Sequence, residues 1–243
     1  MKRARRGRIL VFLLFLILTY LLCLGFSILA ARFLRESTPV QGVGEEPFCG
    51  VVLDAGHGGE DGGTASVQGY YEKDLNLALC RELCTMLQTN GVPVVMTRNE
   101  DTLLYDKTSD YHGRKKALDL LARRKIGEKH PDFLFLSIHM NAYPLPQYHG
   151  LQVWYSKNHE VSEEVAKKVQ ETVSSTLQPQ NDRSVKEADR GIYLLYHLTS
   201  PAILVECGFL SNPEEAERLN DPEYQKQLAF LLTLAIAESK NRG

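Results

Sequence analysis

The stretch Val51-Val52-Leu53-Asp54-Ala55-Gly56-His57-Gly58-Gly59 constrains this chain more than any other. Its apolar, mostly β-branched start predicts a short strand covered on both faces, as in a parallel sheet lined by helices. The glycines that follow permit positive φ, so the chain can turn tightly and leave the imidazole uncovered. Open α/β sheets place their ligands beyond the carboxyl ends of central strands. A histidine in a glycine loop at that edge therefore invites a search for partners on the same edge.

The chain beyond supplies the rest of such a sheet. A helix begins near Glu72, where Leu75, Leu77, Leu79, Leu83 and Leu87, with Ala78 and Met86, form one apolar face. Asn90-Gly91 closes it, and Val92 to Met96 is the next strand, completing a β-loop-α-β unit. Tyr111 to about Lys129 predicts a second helix, and Phe133 to Ile138 a second buried strand that ends at His139. Leu151 to Tyr155 alternates and belongs nearer an edge, and Glu160 to Leu177 is an amphipathic helix. Gln178 to Asp189 reads as loop, Ile192 to Leu195 as a short strand, and Ala202 to Val205 as the last buried strand, ending at Glu206. Asn212-Pro213-Glu214-Glu215 has an N-cap, Pro at N1 and acids in the first turn, so a helix starts there, and a final one runs from about Pro222 to Ser239. The expected fold class is α/β: a single domain with a mixed, mostly parallel central sheet of about six strands and helices on both faces.

The first 48 residues differ in kind. Lys2, Arg3, Arg5, Arg6 and Arg8 precede an uncharged apolar run from Ile9 to about Ala31, longer than the roughly 20 residues that cross a bilayer. A cleaved signal peptide has an apolar core of about 7–15 residues and a small-x-small cleavage site. This core is longer, and Leu29-Ala30-Ala31 matches poorly, which favours an uncleaved signal anchor. The expected organisation is a basic tail and anchor over 1–35, a solvated tether over 36–48 and the folded domain over 49–243. Basic residues stay in the cytoplasm, so the remainder would lie outside the membrane. Setting the five basic residues aside takes the net charge from −2 to −7. An acidic domain without a basic stripe argues against a nucleic-acid partner. Five cysteines without a spaced framework predict no disulfide scaffold.

His57, Glu72, His139 and Glu206 converge if the three buried strands are parallel, because a βαβ helix starts on the edge where its strand ended. Each has a structural reading on its own: a turn residue, a strand terminus, an acid in a first helical turn. Glu206 is the oddest, since an acid on a buried strand calls for a partner. Two histidines and a glutamate make a catalytic zinc set that keeps one position open, and a further carboxylate can move a proton. A phosphate cradle is disfavoured, because no helix follows the glycine loop directly and no Gly-Lys-Ser/Thr appears.

Four blocks carry a resemblance: Asp54-Ala55-Gly56-His57-Gly58-Gly59, Glu72-Lys73, Ser137 to Ala142, and Val205 to Asn212. Over Val51 to Ala237 the chain resembles the zinc-dependent N-acetylmuramoyl-L-alanine amidases of bacterial cell walls. The resemblance implies one Zn²⁺ held by His57, Glu72 and His139, with Glu206 as general base and acid. Asp54, Asn141 and Arg190 are expected as supporting or substrate-contacting residues. The implied reaction cuts the amide between the muramic acid lactyl group and the first L-alanine of the stem peptide. The chain looks most like membrane-anchored members that act on spore cortex, where the cut precedes δ-lactam formation. Peptidoglycan is then the substrate, with an accessory lipoprotein and a polysaccharide deacetylase acting on the product as expected partners. Gly127-Glu128, where many relatives have Ala-Asn, and the lack of a basic residue near Tyr196 depart from the pattern, in positions expected to alter substrate contacts. Alternatives of other classes are a silent wall-binding or scaffold protein and a zinc peptidase or deacetylase.

Overall fold

The apolar run at Val51 forms β1, Gly50–Ala55, and every one of its residues is buried. The computed structural model describes residues 17–25, 46–106, 108 and 113–241. Residues 17–25 are helical, and the chain from Gly44 onward is a unit of its own. Among the described residues no helix is long and apolar enough to cross a membrane. Most of the expected anchor and tether lies outside them.

The unit from Gly44 contains a six-stranded sheet. After β1 come α1 (Glu72–Thr89), β2 (Val94–Met96), α2 (Lys115–Glu128), β3 (Phe133–Asn141), β4 (Gln152–Tyr155), α3 (Glu160–Thr176), β5 (Lys186–Glu187), α4 (Tyr193–His197), β6 (Ala202–Phe209), α5 (Pro213–Asn220) and α6 (Pro222–Lys240). The spatial order is β2-β1-β3-β6-β4-β5. β2, β1, β3 and β6 run parallel, and β4 is antiparallel to β6. The mostly parallel expectation thus holds, and β1, β3 and β6 deliver their carboxyl ends to one edge.

Side-chain alternation splits the core in two. Val51, Leu53, Leu136, Ile138, Ile203 and Val205 join a large cluster with α1, α3 and α6. Val52, Phe135, Ala202 and Leu204 face the other way, into a smaller cluster with α2 and α4. Helix ends follow their local signals. Asn212 accepts from the backbone N–H of Glu214 and Glu215 with Pro213 at N1, and Asp221 caps α6 in the same manner ahead of Pro222.

Several expectations are corrected. Ile192 to Leu195 is not a strand: Tyr193–His197 is the short helix α4, because a four-residue apolar run does not distinguish strand from buried helix. The stretch read as loop from Gln178 contains β5, a two-residue strand that owes its existence to pairing with β4. His139 and Glu206 lie within β3 and β6 rather than after them, directly paired across the two strands, with a register shift between His139 and Asn141. Gly127 is a packing position, since a Cβ there would fall 2.9 Å from Leu198 and 3.0 Å from Phe135. All five cysteines are free, with Cys80 and Cys207 buried as small apolar groups.

Candidate active site

Where β1 ends, Gly56 donates its N–H to Ile138 and so stays in the sheet, and Gly58 and Asp61 then exchange backbone hydrogen bonds in a tight turn. Just ahead of that turn His57 adopts φ 61, a left-handed conformation that residues with a Cβ seldom take. Its imidazole Nε2 lies 3.2 Å from Glu72 Oε1. The helix α1 opens at Glu72, whose Oε2 accepts from the Thr64 N–H and whose Oε1 accepts from the Met140 N–H. From β3, His139 Nδ1 reaches the same Oε1 at 2.9 Å. One ligand atom from each of the three residues lies within 4.8 Å of the others.

The glycines around this cluster are required by space. A Cβ at Gly56 would sit 2.3 Å from His139 Nε2, and one at Gly63 would sit 2.4 Å from Glu72 Oε2 and 2.8 Å from the His57 ring. Two imidazoles and a carboxylate brought together in this way are a donor set suited to a divalent transition metal, Zn²⁺ above all. Asp61 Oδ2 stands 2.9 Å from His57 Nδ1, the far side of the ring, where an orienting carboxylate belongs.

Glu206 is placed beside this group by register, opposite His139. The residue is half-buried, but its Oε2 is shut off from solvent and has no hydrogen-bond partner. Burial pushes its carboxyl up to about 7, with Glu72 adding to the rise and the histidines opposing it. Glu72 goes the other way. Burial works against its ionisation, but the His139 and His57 contacts outweigh that and hold the carboxyl well below the ordinary range. Burial likewise opposes a charged His57, and Glu72 and Asp61 reverse that and raise it. Two carboxyls pushed in opposite directions mark one as a fixed anion and the other as a group able to carry a proton near neutrality.

A cleft of ≈ 240 Å³ opens on these groups. His57, His139, Asp61 and Glu206 lie along it, with Lys116 from α2 and an apolar wall of Leu120, Ile192, Tyr193, Leu194 and Leu204. The structure therefore brings together all four converging residues. The remaining three expectations fare differently. Asp54 is wholly buried in the floor of the cleft and saturated, accepting from Thr97 Oγ1, Arg123 Nη1 and Ser137 Oγ. Asn141 accepts from the Ala142 N–H and shapes the exit from β3, without lining the cleft. Arg190 is exposed, and its neighbour Gly191, not Arg190 itself, lines the cleft. Sequence reasoning passed over Asp61, Arg98 and Arg123. The one available signal was Asp119 and Arg123 at i, i+4 on α2, a pair that turns out to be buried.

The sequence matches the Amidase_3 family, N-acetylmuramoyl-L-alanine amidase, over residues 51–238. It is 38% identical over 181 residues to the germination-specific N-acetylmuramoyl-L-alanine amidase of Bacillus subtilis (strain 168), covering 74% of each chain. The CwlD amidase of Clostridioides difficile, solved in complex with the GerS lipoprotein, superposes with a TM-score of 0.73 at 35% identity, covering 78% of this chain and 96% of that one. An N-acetylmuramoyl-L-alanine amidase from Clostridium difficile 630 gives 0.66 at 31% identity over 79% of this chain and 96% of that one. The sheet edge, the cleft and these matches agree: the chain belongs to the Amidase_3 family of N-acetylmuramoyl-L-alanine amidases, hydrolases of peptidoglycan.

Proposed function

We propose that this amidase is zinc-dependent, that His57, Glu72 and His139 hold the ion, and that Glu206 is the general base and acid. The observation that carries this reading is the pairing of a His-Glu-His donor set with a buried, unpartnered carboxyl oxygen on the adjacent strand. The chemistry supplied by a bound Zn²⁺ is Lewis acidity towards water and the scissile carbonyl. Glu206, with its carboxyl near 7, takes the proton from the attacking water and passes it to the leaving nitrogen of L-alanine. The Glu72 carboxyl stays ionised throughout, fixed by Thr64 and Met140. The apolar wall of the cleft shields the reacting amide from bulk water, which strengthens every polar interaction inside it.

The same reading extends to place and substrate. The basic N-terminus and the apolar run from Ile9 to Ala31 support a membrane anchor over 1–35, with a tether over 36–48 and the enzyme from 49 outside the membrane. A relative with a germination-specific role supports action on spore-cortex peptidoglycan, ahead of δ-lactam formation. A neighbour solved with a lipoprotein supports an accessory lipoprotein here, and a polysaccharide deacetylase would act next on the product.

The test is mass spectrometry of peptidoglycan incubated with zinc-loaded protein, beside Glu206→Gln. Free stem peptides beginning at L-alanine are expected from the wild type alone. Equal release by the Gln variant would remove Glu206 as the base. Wall binding without any release, on vegetative and cortex material and with the lipoprotein added, would favour a silent wall-binding role.

A further inference from the structure

Among the described residues His57 alone combines a Cβ with a positive φ, 61°. Left-handed backbone is disfavoured for such a residue and persists only where the surroundings impose it. Here the surroundings are two buried arginines. Arg123 Nη2 donates to the His57 carbonyl at 2.6 Å, and its Nη1 donates to the Ala55 carbonyl at 2.7 Å. Arg98 Nε donates to the same Ala55 carbonyl at 2.8 Å, and its Nη2 to the Gly56 carbonyl at 3.0 Å. Three consecutive carbonyls of the loop are thus gripped by guanidinium groups. The Nη2 of Arg98 also donates to the Lys73 carbonyl at 2.8 Å, one residue past Glu72. One guanidinium therefore joins the backbone before His57 to the backbone after Glu72. Both arginines are at most 3% exposed, and Arg123 is neutralised by Asp54 and Asp119.

We propose that Arg98 and Arg123 are positioning residues, Arg123 holding the His57 backbone and Arg98 fixing its separation from the start of α1 at Glu72, before any metal arrives, and that together they set the affinity of the site. The proposal rests on the His57, Glu72, His139 ligand reading. A forked, planar donor is what the geometry needs, since each arginine serves several acceptors that diverge from one another. A lysine would keep the positive charge, which at Arg123 is the one that Asp54 and Asp119 pair with, and could not span those acceptors. Arg98→Lys and Arg123→Lys consequently separate electrostatic support from positioning.

The experiment measures Zn²⁺ affinity of the metal-free full-length protein by competition with a chromophoric chelator. Thermal unfolding without metal and amide hydrogen exchange of residues 55–63 are measured alongside. Each lysine variant should bind Zn²⁺ on the order of 10–100-fold more weakly, the loss typical when a group behind a ligand is removed. Exchange should accelerate in the loop while the strands of the sheet stay protected. Affinity within about twofold of wild type, or loop exchange that does not change, would overturn the proposal. Loss of the whole fold in both variants would also overturn it, in favour of a general structural role. A wild type that binds no Zn²⁺, or binds it equally after His139→Ala, would instead sink the ligand reading on which the proposal stands.

Discussion

The two faces of the sheet are made by the same strands and do different work. Towards α1, α3 and α6, β1 presents Val51, Leu53 and Ala55, while β3 and β6 present Leu136, Ile138, Ile203 and Val205, all in one apolar cluster. Towards α2 and α4 the same strands begin apolar, with Val52, Phe135 and Leu204. One same-face step further they carry Asp54, Ser137 and Glu206, and His139 follows Ser137. The period of two lets neighbouring residues on one strand serve stability on one side and chemistry on the other. The polar groups of the second face are also unequal. Asp54 is compensated by Arg123, Ser137 and Thr97, whereas Glu206 Oε2 has no partner. The uncompensated acid is the one proposed to move a proton.

If the faces divide labour in this way, substitutions on each should fail differently. Glu206→Gln should lower kcat/KM on the order of 10²–10⁴-fold, the range for loss of a general acid–base group, with the circular dichroism of the fold unchanged. A variant retaining more than a tenth of wild-type turnover would break the assignment. Leu79, fully buried on the opposite side of the sheet, gives the mirror image. Leu79→Ala should cost about 2–5 kcal/mol in urea unfolding and leave turnover per folded molecule near wild type at low temperature. Comparable losses of kcat and stability in that variant would show that the faces are coupled.

Glu206 offers a finer comparison, since its folded-state pKa of about 7 lies above its ordinary value of 4.5. A raised carboxyl contributes stability that is complete below about pH 4.5 and is lost as the pH rises through about 7. For the metal-free protein that loss is on the order of 3 kcal/mol. Glu206→Gln removes it, so the metal-free variant should melt above wild type at pH 8, with the gap closing towards pH 5. A gap independent of pH would mean the carboxyl is not held protonated. The smallest expected effect concerns His57. Asp61→Asn removes the charge 2.9 Å behind the ring and should weaken Zn²⁺ binding about 10-fold, read by chelator competition. Unchanged affinity would leave the orientation of His57 to its backbone alone.

Legibility followed the range of the interactions. Helices α1, α3 and α6 could be read because their apolar faces repeat over four or more turns. The two-residue β5 and the five-residue α4 are too short for periodicity, and long-range neighbours decide what they become. His57, Glu72, His139 and Glu206 were legible because each opens, follows or lies next to the apolar run of an element that the pattern does reveal. Arg98 and Arg123 were not, since the loop carbonyls they grip lie more than forty positions earlier and have no sequence signature. Asp54, expected as a supporting or substrate-contacting residue, acts through one of those arginines: it accepts from Arg123, which in turn donates to the His57 carbonyl. Which of the two roles it takes is decided only when that arginine is folded against it.

By itself the sequence determined the parallel α/β class, the sheet edge that would carry chemistry, and the four residue types gathered there. Strand alternation and helix capping are local, so they are written in the order of the residues. The resemblance implied different roles for the two glutamates, and only the tertiary structure supplies the physical reason, holding Glu72 as an anion and pushing Glu206 up. That difference depends on desolvation and on which imidazoles lie within about 3 Å, and both are set by burial between elements far apart in the chain.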